Sequence, residues 1–193
     1  MKKFKLTSEF IVDISGVKLF RIKALIEFGN VKAGDLGGYI EKEENLSHMG
    51  DAWVSDDARI SGNAQVFGNA QVFGDAQVFG DAWVFGNARV FGDAWVFGNA
   101  RVSGNARVSG DAQVFGDARV SGDKDYAYAH GFGSCNRTTT FFRLKDGDVG
   151  VRCGCFYGTL AQFRDKVCET HGETKKAQEY LMLADLMEIR FKN

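Results

Sequence analysis

The stretch from Gly62 to Phe91 reads GNAQVFGNAQVFGDAQVFGDAWVFGNARVF, nearly one hexapeptide written five times with no insertion. The code extends beyond it in both directions. A branched aliphatic residue falls at every sixth position from Val54 through Ile60 to Val120, and alanine stands two residues before each, from Ala52 to Ala118. That makes twelve hexads of the form Gly-[Asn/Asp]-Ala-x-[Val/Ile]-[Phe/Ser], with Asp56 in the glycine place once. In an extended segment residues two apart share a face, so Ala and Val point one way while x and Phe or Ser point the other. Gly followed by Asn or Asp then turns the chain, because these residues tolerate positive φ, and the chain has no proline to do it. Strands this short, turned every six residues, predict a parallel β-helix over residues 51–122 with a narrow Ala/Val interior.

A solenoid exposes open rungs at both ends and needs caps. Residues 1–50 supply the first, with EFIVDISGVKLFRIKALIEF reading as a hairpin that turns at Ser15-Gly16. Residues 123–193 read as a ββαα module. Its hairpin turns at Asp146-Gly147, a first helix opens at the capping box Thr159-x-x-Gln162 and ends at Gly172, and a second runs from Thr174 to Glu188.

The V-x-G-N/D-A-x repeat resembles the hexapeptide repeat of left-handed parallel β-helices, found in acyltransferases that act as trimers. The resemblance implies a left-handed sense, three hexads per eighteen-residue coil, about four coils and a homotrimer. The stretch from Val31 to Val54 resembles the entry segment of a bacterial hexapeptide-repeat family of the transferase type, a likeness that runs over residues 20–122. The C-terminal segment is similar to the end of uncharacterised proteins encoded by phages and prophages. That likeness implies a host-directed role, on a defence protein or a nucleotide signal, in the cytoplasm of a bacterial host.

With eighteen residues per coil, outward positions stack into columns. Phe79, Phe97 and Phe115 line up beside Arg59, Gln77, Trp95 and Gln113, and Phe73 and Phe91 beside Trp53, Gln71, Arg89 and Arg107. Phe67 and Phe85 accompany Gln65, Trp83, Arg101 and Arg119. So many outward aromatic residues either stack on one another and under the terminal segments, or form a self-association surface centred on Phe79, Phe97, Phe115, Trp95, Phe73 and Phe91. Arg101 and Arg119 beside Trp83, and Arg89 above Arg107, form either a solvated ladder or a clamp for phosphate with a base on the indole. Asp57, Asp75, Asp93 and Asp111 also align, as corner residues or as a cation-attracting column.

A net charge of −1 predicts no general pull toward nucleic acid or anionic membrane, and no stretch is apolar enough to span a bilayer. The four cysteines (Cys135, Cys153, Cys155 and Cys168) lack framework spacing and read as reduced thiols. Cys153, Cys155, Cys168 and His171 offer a zinc set without recognised finger spacing, so no metal or other cofactor is expected. The resembled acyltransferases use a histidine as general base. Here His48 precedes the repeat, His130 follows it and His171 lies at a helix end, leaving His130 and then His48 as the candidates for acyl transfer. The function expected is a non-catalytic, self-associating binding protein, with a trimeric acyltransferase and a structural or virion component as alternatives.

Overall fold

In a computed structural model, which describes residues 2–134 and 136–192, the hexads form a three-walled parallel β-solenoid. An N-terminal hairpin, β1 (Phe4–Val12) and β2 (Lys18–Ala24), leads into β3 (Leu36–Ile40). Twelve two-residue strands follow at six-residue intervals. They are β4 (Trp53–Val54), β5 (Arg59–Ile60), β6 (Gln65–Val66), β7 (Gln71–Val72), β8 (Gln77–Val78) and β9 (Trp83–Val84). The second six are β10 (Arg89–Val90), β11 (Trp95–Val96), β12 (Arg101–Val102), β13 (Arg107–Val108), β14 (Gln113–Val114) and β15 (Arg119–Val120).

Wall I stacks β3-β5-β8-β11-β14, wall II stacks β4-β7-β10-β13, and wall III stacks β6-β9-β12-β15. Residues eighteen apart pair in parallel register, Val90 with Val72 above and Val108 below. The resemblance implies about four coils from the twelve hexads. Wall I nevertheless holds five parallel strands, because β3 adds a rung above β5 and Leu46 bridges Val66 on wall III. The hairpin extends the same sheet, so β1 and β2 make wall I seven-stranded.

Every repeat Ala and Val is buried, and together they line one continuous core. The corners turn at glycines with φ near +70°, such as Gly86 at +71°, and Asp56 fills its corner at +55°. Each coil sends N–H groups toward the next and carbonyls toward the previous one: Gln71 N donates to Ala88 O and Phe73 N to Val90 O. The upper end therefore presents orphan carbonyls and the lower end orphan donors.

Side chains from the terminal segments satisfy both. Asn45, fully buried, donates its amide to Gly62 O (3.1 Å) and Ala64 O (2.9 Å). Lys3, 1% exposed, does the same at the adjacent corner, from Nζ to Gly50 O (3.1 Å) and Ala52 O (2.8 Å). Below, Asp123 accepts from Arg107 N, Thr140 from Gln113 N, and Asp125 from the N–H groups of Ser121 and Gly122. Burial pushes the Asp125 carboxyl up, but the Ser121 hydroxyl and these N–H groups outweigh it and hold it below its usual range.

The C-terminal module has two more strands than the ββαα reading. An antiparallel sheet, β16 (Tyr126–Phe132), β17 (Arg137–Arg143), β18 (Val149–Cys153) and β19 (Phe156–Thr159), closes the lower end. The added outer strands, YAYAHGF and FYGT, carry too little apolar alternation to announce themselves. Two helices follow, α1 (Leu160–His171), with the expected Thr159 capping box, and α2 (Lys175–Phe191). One strand serves two cores, since Phe142 belongs to the solenoid core while Phe141 belongs to the core under the helices. No helix among the described residues is long and apolar enough to cross a membrane.

Candidate functional site

The walls carry their outward residues as longitudinal ladders. On wall I the Phe79 and Phe97 rings stack at 4.8 Å, and Phe97 continues to Phe115 at 4.4 Å. Trp95 meets Phe79 edge-on at 5.9 Å. Phe73 stacks on Phe91 at 5.0 Å on wall II, and Phe67 on Phe85 at 4.9 Å on wall III. Stacking leaves all seven repeat phenylalanines half-buried. Two of the expected outward aromatic positions are covered. Trp53 is 7% exposed, with Phe28 of the entry segment edge-on at 5.3 Å. Phe115 lies under Tyr157, at 4.6 Å, and the Arg152 guanidinium. The open parts of the proposed interface are thus Phe79, Phe97 and Trp95 on one wall, and Phe73 and Phe91 on the next.

The corner residues differ from wall to wall in a way their charges explain. On wall II Asn69 donates to Asn87 and Asn87 to Asn105, each amide at 3.2 Å. On wall III Asn63 donates to Asp81 and Asn99 to Asp117. Wall I has only Asp57, Asp75, Asp93 and Asp111 in this place, and carboxylates have no proton to donate to one another. Asp75 and Asp93 make no hydrogen bond or ion pair among the described residues, and Asp111 faces only His130 Nδ1, at 3.7 Å.

Wall III carries the most varied chemistry. The Arg101 guanidinium lies over the Trp83 indole, 4.5 Å from its centroid. Arg119, next below, is committed to backbone, donating to Asn99 O (3.0 Å) and Ala118 O (2.8 Å). Above Trp83 opens a cleft of about 650 Å³, floored by Gln65, Phe67 and Trp83 and overhung by Glu43, Glu44 and His48. A second groove of about 510 Å³ continues past Trp83 to Arg101 and Arg119. The Lys2 ammonium, then His48, holds the Glu43 carboxyl below its usual range. On wall II, Arg89 and Arg107 project one rung apart with no partner for either guanidinium among the described residues.

The histidines do not converge. His48 belongs to the upper cap, stacked on Phe4 at 4.3 Å. Its Nδ1 accepts the Lys3 N–H at 3.2 Å, and its Nε2 faces Glu43 at 3.7 Å, so its free lone pair is already used. His130 sits on exposed β16 at the opposite end, with Nδ1 2.9 Å from Thr138 Oγ1. His171 leans on Tyr180, with ring centres 5.8 Å apart. The thiols are equally dispersed in role. Cys153 accepts from Thr139 at 3.2 Å and donates to Tyr180, while Cys155 and Cys168 are exposed and Cys135 lies outside the described residues. No group of three metal-ligating side chains comes together among the described residues, so the CxC and Cys-x-x-His pairs do not assemble into a zinc centre there.

Sequence reasoning missed the capping groups Lys3, Asn45, Asp123, Asp125 and Thr140, which determine where the ladders begin and end. Their signal is faint, because a capping role depends on which rung is last and not on local spacing.

A family model of the YdcK beta solenoid repeat matches residues 58–74, 94–110 and 100–114. All three segments lie within the hexads, so the match concerns the repeat and reaches neither terminal segment. No curated protein matches the chain.

Proposed function

We propose that this protein is a non-catalytic, self-associating binding protein that makes its contacts through the outer walls of the solenoid. The Trp83–Arg101 stack, standing between two open concavities on one wall, carries this reading. A ligand with a flat ring and a phosphate suits it best. The ring replaces the guanidinium on the indole, an exchange that gives up only about 0.5–1 kcal/mol at an exposed site. The released Arg101 then meets the phosphate, with Glu43, Glu44 and Gln65 facing the far edge of the ring. A nucleotide is the simplest member of that class. A host-directed role rests on the likeness of the C-terminal segment to phage-encoded proteins.

Tryptophan fluorescence tests the reading, because Trp53 is buried out of a ligand's reach and a ligand-dependent change in emission must come from Trp83 or Trp95. Titration with purine mononucleotides and cyclic dinucleotides is expected to quench emission saturably. Trp83→Phe should remove most of the change, and Arg101→Gln should weaken binding roughly tenfold, as expected for a lost charge-assisted contact. Quenching that survives both substitutions, or none with any nucleotide, contradicts it.

A further inference from the structure

We infer that the acidic ladder of wall I is the docking surface for the arginine ladder of wall II on a second copy of this chain, and that the contact closes into a ring of parallel solenoids. The inference rests on the self-association proposed above and specifies which faces meet.

Charge complementarity supplies the occupant. Wall I presents Asp75, Asp93 and Asp111, spaced by one rung, around Trp95 in a groove of about 440 Å³ where Arg59 on the rung above Gln77 is the one cation among the lining residues. Like charges about 4.8 Å apart repel, and no intramolecular donor separates them, unlike the amide ladders on the other two walls. Wall II presents Arg89 and Arg107, exposed, unpaired among the described residues and also one rung apart. The Arg101 and Arg119 pair on wall III is already engaged with Trp83 and the backbone. Both ladders come from the same coil, so their pitches are equal by construction.

Height fixes the axial register. Arg89 and Asp93 are four residues apart in one eighteen-residue coil, as are Arg107 and Asp111. A coil rises about 4.8 Å, so each pair lies within about 1 Å of one level. Two parallel copies can therefore join Arg89 to Asp93 and Arg107 to Asp111 with almost no axial shift. A head-to-tail contact without axial shift cannot wind into a helical filament, and it closes into a ring where the rotation between neighbours divides a full turn. The aromatic residues beside each ladder, Phe79 and Phe97 on one wall and Phe73 and Phe91 on the other, supply the apolar part of the contact.

The test is the particle mass of the full chain at micromolar concentration, by mass photometry and sedimentation. Wild type is expected as one discrete oligomer that dissociates as salt is raised. Asp93→Arg with Asp111→Arg should be monomeric, as should Arg89→Asp with Arg107→Asp. The fourfold variant carrying both pairs should regain the oligomer, because its faces are complementary again. Circular dichroism melts check that these exposed substitutions leave the fold intact. An oligomer whose mass is unchanged by either reversal overturns this pairing of faces and leaves self-association standing, whereas a monomeric wild type overturns both. Fibres in place of discrete particles contradict the closed ring.

Discussion

Replacing Asn45 by leucine is expected to lower the free energy of unfolding by roughly 3–5 kcal/mol. Leucine has the same branching and no fewer non-hydrogen atoms, so no cavity forms. The loss comes from three backbone groups left unpaired, one in a fully buried hydrogen bond and two in partly buried ones. These are the carbonyls of Gly62 and Ala64, which accept from the amide, and the Lys42 N–H, which donates to Oδ1 at 2.9 Å. Urea denaturation followed by circular dichroism measures it as a shift in midpoint. A change below about 1 kcal/mol would mean that the first rung is hydrated and needs no cap. Lys3→Met provides the contrast. It too orphans two carbonyls, but it removes an ammonium that burial disfavours, with its pKa pulled down to about 8 by desolvation against the attraction of Asp51. At pH 7 it should therefore cost less than Asn45→Leu. Between pH 8 and 10.5 the folded amine is neutral while the unfolded one is still charged. The unfolded chain then holds more protons, so the stability contributed by Lys3 rises with pH. The neutral amine keeps two N–H groups for its two carbonyls, and the deficit of Lys3→Met should grow across that window.

Gly86→Val should be nearly as damaging, at roughly 3 kcal/mol from backbone conformation and overpacking together. The residue sits at φ +71°, and a Cβ there would lie 3.0 Å from Gly104 N at the corner of the next coil. Neither rung can yield without breaking its ladder. Gly16 at the hairpin tip isolates the conformational part, because its φ is +82° but a Cβ would meet nothing within 4 Å. Gly16→Val should cost about half as much or less. Thermal melts of the two variants make the comparison, and equal losses would show that stacking between corners contributes nothing. Asp56 shows how one stacked corner accommodates a Cβ, holding φ +55° above Gly74 while its carboxylate receives the Gly74 N–H at 3.0 Å.

The solenoid was legible because its constraint is local and repeated. Each Ala and Val reports its own burial, and each Gly its own corner, so twelve copies of one weak signal add up. The outer columns followed from the eighteen-residue coil that the family resemblance implied. The ends were harder to read. Leu36–Ile40 lacks the hexad code yet continues wall I, because a strand needs only matching backbone groups to join a ladder. Trp53 has the same local sequence as Trp83 but is covered by Phe28, a neighbour twenty-five residues earlier. Phe115 likewise has the context of Phe97 but is covered by Tyr157 of the C-terminal sheet. Repetition reveals what every coil shares, and caps reflect what only the first and last coils need.

Disulfide trapping tests the three-walled coil most directly. Asn87 and Asn105 are eighteen residues apart, with the Asn87 amide 3.2 Å from the Asn105 carbonyl. Adjacent rungs stand about 4.8 Å apart, inside the range that a disulfide spans. Asn87→Cys combined with Asn105→Cys should oxidise to an intramolecular bridge, located by peptide mapping against the four native cysteines. Asn87→Cys combined with Asn99→Cys, twelve residues apart and on different walls, should not. A bridge in the second variant and none in the first would contradict the eighteen-residue coil and every ladder built on it.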